Sequence, residues 1–104
     1  MTASVFKPDN WILLEFKQKN KRWYQVLSSW DDSRYRMSSA VEAIIQNDDG
    51  LTFITKNGSK YECLLSRRVM NDFLKETYNN WSEAAEEESK GNLTIQIVET
   101  LSSI

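Results

Sequence analysis

Histidine is missing from all 104 residues, and cysteine occurs only once, as Cys63. The first absence removes the commonest general base, the usual proton acceptor for Ser and Cys nucleophiles, and the commonest metal ligand. The lack of histidine, together with the presence of only one cysteine, excludes a zinc site built from Cys and His ligands within one chain. We therefore predict a protein that is not an enzyme and that has no catalytic residues, no metal and no cofactor.

A single cysteine also rules out an intrachain disulfide, which fits a reducing compartment. Residues 1–10 contain no apolar run of signal-peptide length. No stretch of the chain approaches the ~20 apolar residues that a membrane span needs. The sequence predicts a cytoplasmic protein that does not insert into a membrane.

Glycine and proline are scarce as well, with three glycines and one proline. The glycines stand alone at Gly50, Gly58 and Gly91, so no glycine-rich phosphate loop can form, and each position suits a turn. Pro8 lies near the start, and we expect residues 1–9 to form an extended or loosely held arm. No repeat or linker divides the chain, so residues 1–104 are predicted to be a single domain.

Two pairs of neighbouring carboxylates, Asp31-Asp32 and Asp48-Asp49, raise the question of a divalent cation site. Adjacent residues in a turn point in different directions, and neither pair has the spacing of a calcium-binding loop. Asp side chains also favour turns, because they hydrogen-bond their own backbone two residues on. We predict a turn at each pair.

Six segments have the apolar or alternating pattern of β-strands, and one has the period of a helix. The strands are predicted at residues 11–16, 21–30, 36–47, 51–55, 59–65 and 93–101. The order β-β-β-β-β-α-β predicts an α+β fold, either a strongly bent antiparallel sheet or a small SH3-like barrel, with a C-terminal helix before the last strand. The alternative is a helix packed on one face of an open meander.

The hairpin around the Asn-Gly pair at residues 57–58 allows its register to be predicted. A two-residue turn would pair Phe53 with Glu62. A three-residue loop, with the glycine in a left-handed conformation, pairs Phe53 with Tyr61 and Leu51 with Cys63. Only the second register collects four apolar side chains on one face, and burial of one face fixes register. This register also turns Cys63 inward, where a thiol behaves as an inert hydrophobe.

The helix is predicted from apolar residues that recur at spacings of three and four over residues 69–81. Ser66 is a candidate N-cap, but the two arginines that follow it oppose the helix dipole. Two alternatives remain for the far end. Either the helix ends at residues 79–80 and a second short helix follows, or one bent helix runs to about Ser89.

Residues 21–30 alternate without leaving a polar face. Trp23 and Leu27 fall on one side of this strand, and Tyr24 and Val26 fall on the other. Either both faces are covered, one of them by the helix, or one apolar face is open. Open aromatic surface is typical of a protein interface, and an edge strand such as 93–101 can pair with a partner chain.

The leading functional hypothesis is a non-catalytic protein-interaction module, with self-association as a homodimer as one form of it. Its motivation is aromatic richness without catalytic residue types. The predicted partner-binding residues are Trp23, Trp30 and Tyr35, acting together with an edge strand.

Nucleic-acid binding is the second hypothesis, because aromatic platforms beside Lys and Arg can bind single strands on small barrels. The residues that it predicts are Lys17, Lys19, Lys21, Arg22, Arg34 and Arg36. Residues 1–36 hold seven basic and four acidic side chains, whereas residues 37–104 hold six and eleven. Against the hypothesis stand a net charge of −2 and a pI near 5.1, since nucleic-acid-binding domains are usually basic.

The third hypothesis is an acidic inhibitor or mimic that acts through the helix around residues 83–88. Its residues are Glu83, Glu86, Glu87 and Glu88. A solvated helix end is the simpler interpretation of this cluster, and a net charge of −2 is mild for a mimic of nucleic-acid phosphates.

Overall fold

The computed structural model describes residues 4–30, 34–68 and 71–98. The strands are β1 (Val5–Phe6), β2 (Asn10–Gln18), β3 (Lys21–Ser29), β4 (Tyr35–Met37), β5 (Val41–Gln46), β6 (Gly50–Thr55), β7 (Lys60–Leu64) and β8 (Leu93–Ile97), and helix α1 spans Asp72–Ser89. The turn predicted at residues 31–33, the helical residues predicted at 69–70 and the end of the last strand beyond Val98 lie outside the described residues. Within the described ranges, no helix combines the length and the apolarity that crossing a membrane requires.

The strands form two four-stranded sheets, which confirms the α+β class. The outer sheet has the order β1-β7-β6-β5, and the central sheet has the order β4-β3-β2-β8. One hydrophobic cluster joins the two sheets, and a second joins the central sheet to α1. The described part of the chain is therefore layered as outer sheet, central sheet and helix, and no closed barrel is found in it.

Both faces of β2 and β3 are buried, because a different layer covers each face. Trp11 and Val26 are fully buried toward the outer sheet. Leu14 and Leu27 are fully buried on the opposite face, against Leu74 of α1. The two apolar faces predicted for residues 21–30 are thus both core faces, as the first of the two alternatives required.

Residues 36–47 were predicted as one strand, and this was wrong: they form β4 in the central sheet and β5 in the outer sheet. The chain crosses between the sheets at residues 38–40. At this corner the Ser38 N–H donates to the Val26 carbonyl at 2.9 Å, and Ser38 Oγ accepts from the Val26 N–H at 2.8 Å. A serine side chain thus continues the ladder where the backbone turns away, so no polar backbone group of Val26 is left unpaired.

The register predicted for the hairpin of β6 and β7 is confirmed. Phe53 pairs with Tyr61, and Leu51 pairs with Cys63. Gly58 has a φ of 88°, and its N–H donates to the Thr55 carbonyl at 2.9 Å. All four paired side chains are buried in the core between the sheets. Their burial therefore decides the register, against the preference of Asn-Gly for a two-residue turn.

The start of α1 differs from the prediction. Ser66 lies in a 3₁₀ turn, Leu65–Arg67, and the N-cap is Asn71, whose Oδ1 accepts from the Leu74 N–H at 2.8 Å. This start leaves both arginines outside the helix and places Asp72 in its first turn, where a negative charge is favourable. The prediction of Ser66 as the cap was wrong because serine and asparagine are comparable caps in sequence terms.

The end of α1 agrees with the alternative of one helix that runs to Ser89. Lys90 adopts a left-handed conformation with a φ of 56°, and the Gly91 N–H donates to the Glu86 carbonyl at 2.9 Å. These contacts close the last turn and direct the chain back along the central sheet into β8.

The structure describes residues 4–9 of the N-terminal arm, and the arm joins the outer sheet there. Val5 and Phe6 form β1 in parallel register with Lys60 and Tyr61 of β7. The Lys60 N–H donates to the Ser4 carbonyl at 2.8 Å. A two-residue strand gives no periodicity that sequence inspection could detect.

Candidate binding surface

An open cleft of about 400 Å³ lies where β1, the end of β3 and β4 meet. Three aromatic rings, one aliphatic side chain and three cationic side chains form its lining. The residues that line it are Val5, Phe6, Lys7, Trp30, Arg34, Tyr35 and Arg36. We refer to these seven residues as the basic-aromatic cleft.

The aromatic part of the cleft is anchored in the core through Phe6. Its ring stacks on Tyr61 with centroids 4.8 Å apart, and Trp30 approaches it edge-on at 6.1 Å. Tyr35 is 45% exposed and lies 6.1 Å from the ring of Phe73. The cleft therefore presents a rigid aromatic floor with an accessible phenol at its rim.

The cationic part of the cleft is ordered by the same rings. The Arg36 guanidinium lies 4.4 Å from the centroid of Phe6, within cation–π range, and its Nε donates to Tyr61 Oη at 3.0 Å. Burial raises the pKa of the Tyr61 phenol, and the hydrogen bond and positive charge of Arg36 act in the opposite direction. Lys7 forms an exposed ion pair with Glu62 at 3.5 Å. Arg36 is thus fixed, while Lys7 sits in a solvent-screened pair that a ligand can displace at little cost.

The three predicted partner-binding residues do not form one site. Trp30 and Tyr35 both line the basic-aromatic cleft. Trp23 lies on the opposite face of β3, where its ring stacks on Phe16 at 5.5 Å and its Nε1 donates to Gln25 Oε1 at 2.8 Å. It packs against the core beneath α1 and is only partly accessible.

The six predicted nucleic-acid-binding residues are divided between the two ends of β3. Arg34 and Arg36 belong to the cleft. The other four, which we call the loop group, lie in or next to the two-residue loop that joins β2 to β3. They are Lys17, Lys19, Lys21 and Arg22. Eight strand steps separate Lys21 from Ser29, which corresponds to about 27 Å.

The loop group is also partly neutralised by a neighbouring carboxylate. Lys17 Nζ lies 3.2 Å from one oxygen of Glu15, and Arg22 Nη1 lies 4.0 Å from the other. The side chain of Glu15 is only 17% exposed. Glu15 therefore offsets part of the positive charge at this end of β3.

Sequence inspection missed the three residues that the N-terminal arm brings to the cleft. Val5, Phe6 and Lys7 complete the surface next to Trp30 and Arg36. The only signal was the apolar pair before Pro8, which is too short to indicate a strand. Long-range pairing with β7 places these residues, and a local pattern does not encode that pairing.

A second cleft of about 400 Å³ lies between the C-terminal half of α1 and β8. Its lining is mostly apolar and includes Trp81, which is 41% exposed. The four glutamates of the acidic hypothesis lie on the last two turns of α1 and are all exposed. Glu88 is the member of that group that lines this cleft.

Cys63 is buried, and burial raises the pKa of its thiol from 9.0 to about 12. We expect no reaction with a thiol reagent in the native protein near neutral pH, and one reactive thiol per chain in denaturant, because the thiolate is the nucleophile. Rapid labelling of the native protein would contradict the inward orientation of Cys63.

The same pKa shift predicts how stability depends on alkaline pH. The thiol of the unfolded chain loses its proton at a lower pH than the thiol of the folded chain. The contribution of Cys63 to the free energy of unfolding is therefore complete below about pH 9, and it is lost as the pH rises toward about 12. Tyr61 acts in the same direction. Denaturant titrations across this range should show a falling free energy of unfolding, and a Cys63→Ala variant should show a shallower fall.

Comparisons of the chain with protein-family models, with curated proteins and with solved structures found no match.

Proposed function

We propose that the protein is a non-catalytic protein-interaction module, and that its basic-aromatic cleft holds an acidic segment of a partner protein that carries an apolar side chain. One observation supports this proposal: three aromatic and three cationic side chains line the same open cleft. They are Phe6, Trp30 and Tyr35, and Lys7, Arg34 and Arg36. Aromatic residues and arginine are the side chains most enriched at the energetic centres of protein interfaces.

The electrostatics of the cleft favour an acidic partner. Three cationic side chains line it, and a carboxylate that enters beside Lys7 can replace the exposed pairing with Glu62. The rings supply apolar area that is already ordered, since Phe6 stacks on Tyr61 and also contacts the Arg36 guanidinium. A preformed surface of this kind avoids part of the ordering cost of association.

Protein is favoured over nucleic acid as the partner because the other four predicted nucleic-acid-binding residues are remote from the cleft. A strand of nucleic acid follows a groove lined by many basic groups. The loop group is about 27 Å from the cleft, and two of its members, Lys17 and Arg22, lie against Glu15. The cleft by itself has room for one short segment.

The proposal is tested by selecting binders from a displayed library of random dodecapeptides. We expect enrichment of acidic sequences that contain an aromatic or aliphatic residue, with binding that weakens as salt is added. The Tyr35→Ala and Lys7→Glu variants should each lower the affinity of an enriched peptide at least ~10-fold.

Two variants outside the cleft are the matched controls. Trp81→Ala removes another exposed aromatic side chain, and Lys17→Glu reverses another exposed charge; both should leave the affinity unchanged. Enrichment of basic or uncharged sequences, or no enrichment above background, would overturn the proposal. Tighter binding of a single-stranded oligonucleotide than of any selected peptide, lost in Tyr35→Ala, would assign the cleft to nucleic acid instead.

A further inference from the structure

The two sheets end in four edge strands among the described residues, and three of these offer little backbone to a partner. β1 has two residues and β4 has three. β8 is longer, and the sequence predicted it as an edge for partner pairing. Helix α1 occupies the outer side of β8.

The outer side of β8 is identified by its hydrogen bonds. The Val98 N–H donates to Leu13 of β2 at 2.9 Å, so by alternation the backbone groups of Ile95 and Leu93 point away from β2. The Ile95 carbonyl accepts from Tyr78 Oη at 3.0 Å, and the Leu93 N–H donates to Ser89 Oγ at 2.8 Å. Both partners are side chains of α1, so the helix protects this edge.

β5 is the remaining edge, and it lacks such protection. Five of its six residues are exposed, and Ile44 and Ile45 are 36% and 49% exposed. The strand contains no lysine or proline, the residues most often used to block edge pairing, and its only charged residue is Glu42. The bulge between Val41 and Ala43 leaves residues 43–46 in regular register with β6.

The pairing pattern of β5 shows which backbone groups are available. The Asn47 N–H donates to the Gly50 carbonyl at 2.9 Å, so Asn47 and Ile45 direct their backbone groups toward β6. By alternation, Ile44 and Gln46 direct theirs outward. Ile44 lies opposite the buried Phe53 and therefore has its side chain on the core side of the sheet.

We propose that two copies of the chain associate through antiparallel pairing of β5 with β5 about a two-fold axis at Ile44. The two Ile44 residues would exchange two backbone hydrogen bonds, and their side chains would cover each other on the core side. The outer sheets would join into one sheet of eight strands.

A second copy is the partner that the charges of this edge fit. In the register centred on Ile44, Gln46 lies opposite Glu42 of the other copy, so the only charge of the strand meets a neutral amide. Within each copy, the Lys56 N–H donates to the Ala40 carbonyl, so Lys56 lies next to the start of β5. The same register brings the acidic Asp48-Asp49 turn of the other copy to this end of the strand. No like charges oppose each other within the paired strands.

Sedimentation equilibrium over a range of concentrations tests the proposal. We expect a reversible monomer–dimer equilibrium, and Ile44→Lys should raise its dissociation constant at least ~10-fold, because it places two like charges directly opposite each other. Leu64→Lys is the matched control, since it changes another exposed leucine-sized side chain, 43% exposed, away from the edge. It should leave the dissociation constant unchanged.

Cross-linking tests the position of the axis. An Ile44→Cys variant treated with a short bis-maleimide should give a covalent dimer, whereas Leu64→Cys should not, and the buried Cys63 should not react in either. A protein that stays monomeric up to about 1 mM, or a dimer whose dissociation constant is unaffected by Ile44→Lys, would overturn the proposal. Either result leaves peptide binding at the basic-aromatic cleft as a separate question.

Discussion

Gly50→Ala is expected to lower the free energy of unfolding by about 3 kcal/mol, the upper part of the range for overpacked sites. A Cβ added at Gly50 would lie 2.2 Å from the Cys63 carbonyl oxygen and 3.0 Å from the Leu64 Cα. Both are backbone atoms of β7, so no side-chain rotation can relieve the contact. β6 and β7 would have to separate where Gly50 pairs with Leu64, at the open end of the hairpin.

Gly58→Ala is the matched control for this prediction. Gly58 has a φ of 88° and open space around its Cα, so alanine there meets only the backbone strain of a left-handed conformation, about 1–2 kcal/mol. Urea titrations of both variants give the comparison directly. A Gly50→Ala variant that is as stable as Gly58→Ala would show that the two strands do not approach as closely as described.

Trp11→Ala is expected to have the second large effect, a loss of about 4 kcal/mol of stability. Trp11 is fully buried between the sheets, where its ring meets Phe53 edge-on at 5.5 Å. Its Nε1 also donates to the Leu64 carbonyl at 2.7 Å. The substitution therefore removes a large core side chain together with a bond that ties the central sheet to the end of β7.

Trp81→Ala provides the contrast, because Trp81 is 41% exposed at the rim of the apolar cleft. Its cost should be no more than about 1 kcal/mol, as for substitutions away from the core. Denaturant titration of the two variants measures the difference. Equal losses would contradict the assignment of Trp11 to the core and of Trp81 to the surface.

The sequence predicted correctly a feature that depends on the burial of one face of a strand pair. The register of β6 with β7 follows because only one pairing puts Leu51, Phe53, Tyr61 and Cys63 on the same side.

The features that the sequence did not predict depend on contacts between distant segments. Alternation showed that Trp23 and Tyr24 face opposite ways, but it could not show that α1 covers one side and the outer sheet covers the other. The corner at Ser38 was missed because a serine in a strand pattern gives no sign that its side chain will replace a ladder bond.

The candidate site was predicted in part for the same physical reason. Trp30, Tyr35, Arg34 and Arg36 are neighbours in sequence and lie together in the cleft. Phe6 joins them through the parallel pairing of β1 with β7, a contact across more than fifty residues. Trp23 was grouped with them by proximity in sequence, and the alternation of a strand separates it from them.

We propose that binding takes place at the basic-aromatic cleft. The most direct test is a nuclear magnetic resonance titration with an acidic dodecapeptide selected on the protein, followed at the indole N–H signals of the four tryptophans. We predict that the Trp30 signal shifts as the peptide is added, while the signals of Trp11 and Trp23, which donate to groups within the protein, and of Trp81, in the other cleft, stay in place. A shift at Trp81 without a shift at Trp30 would contradict the account.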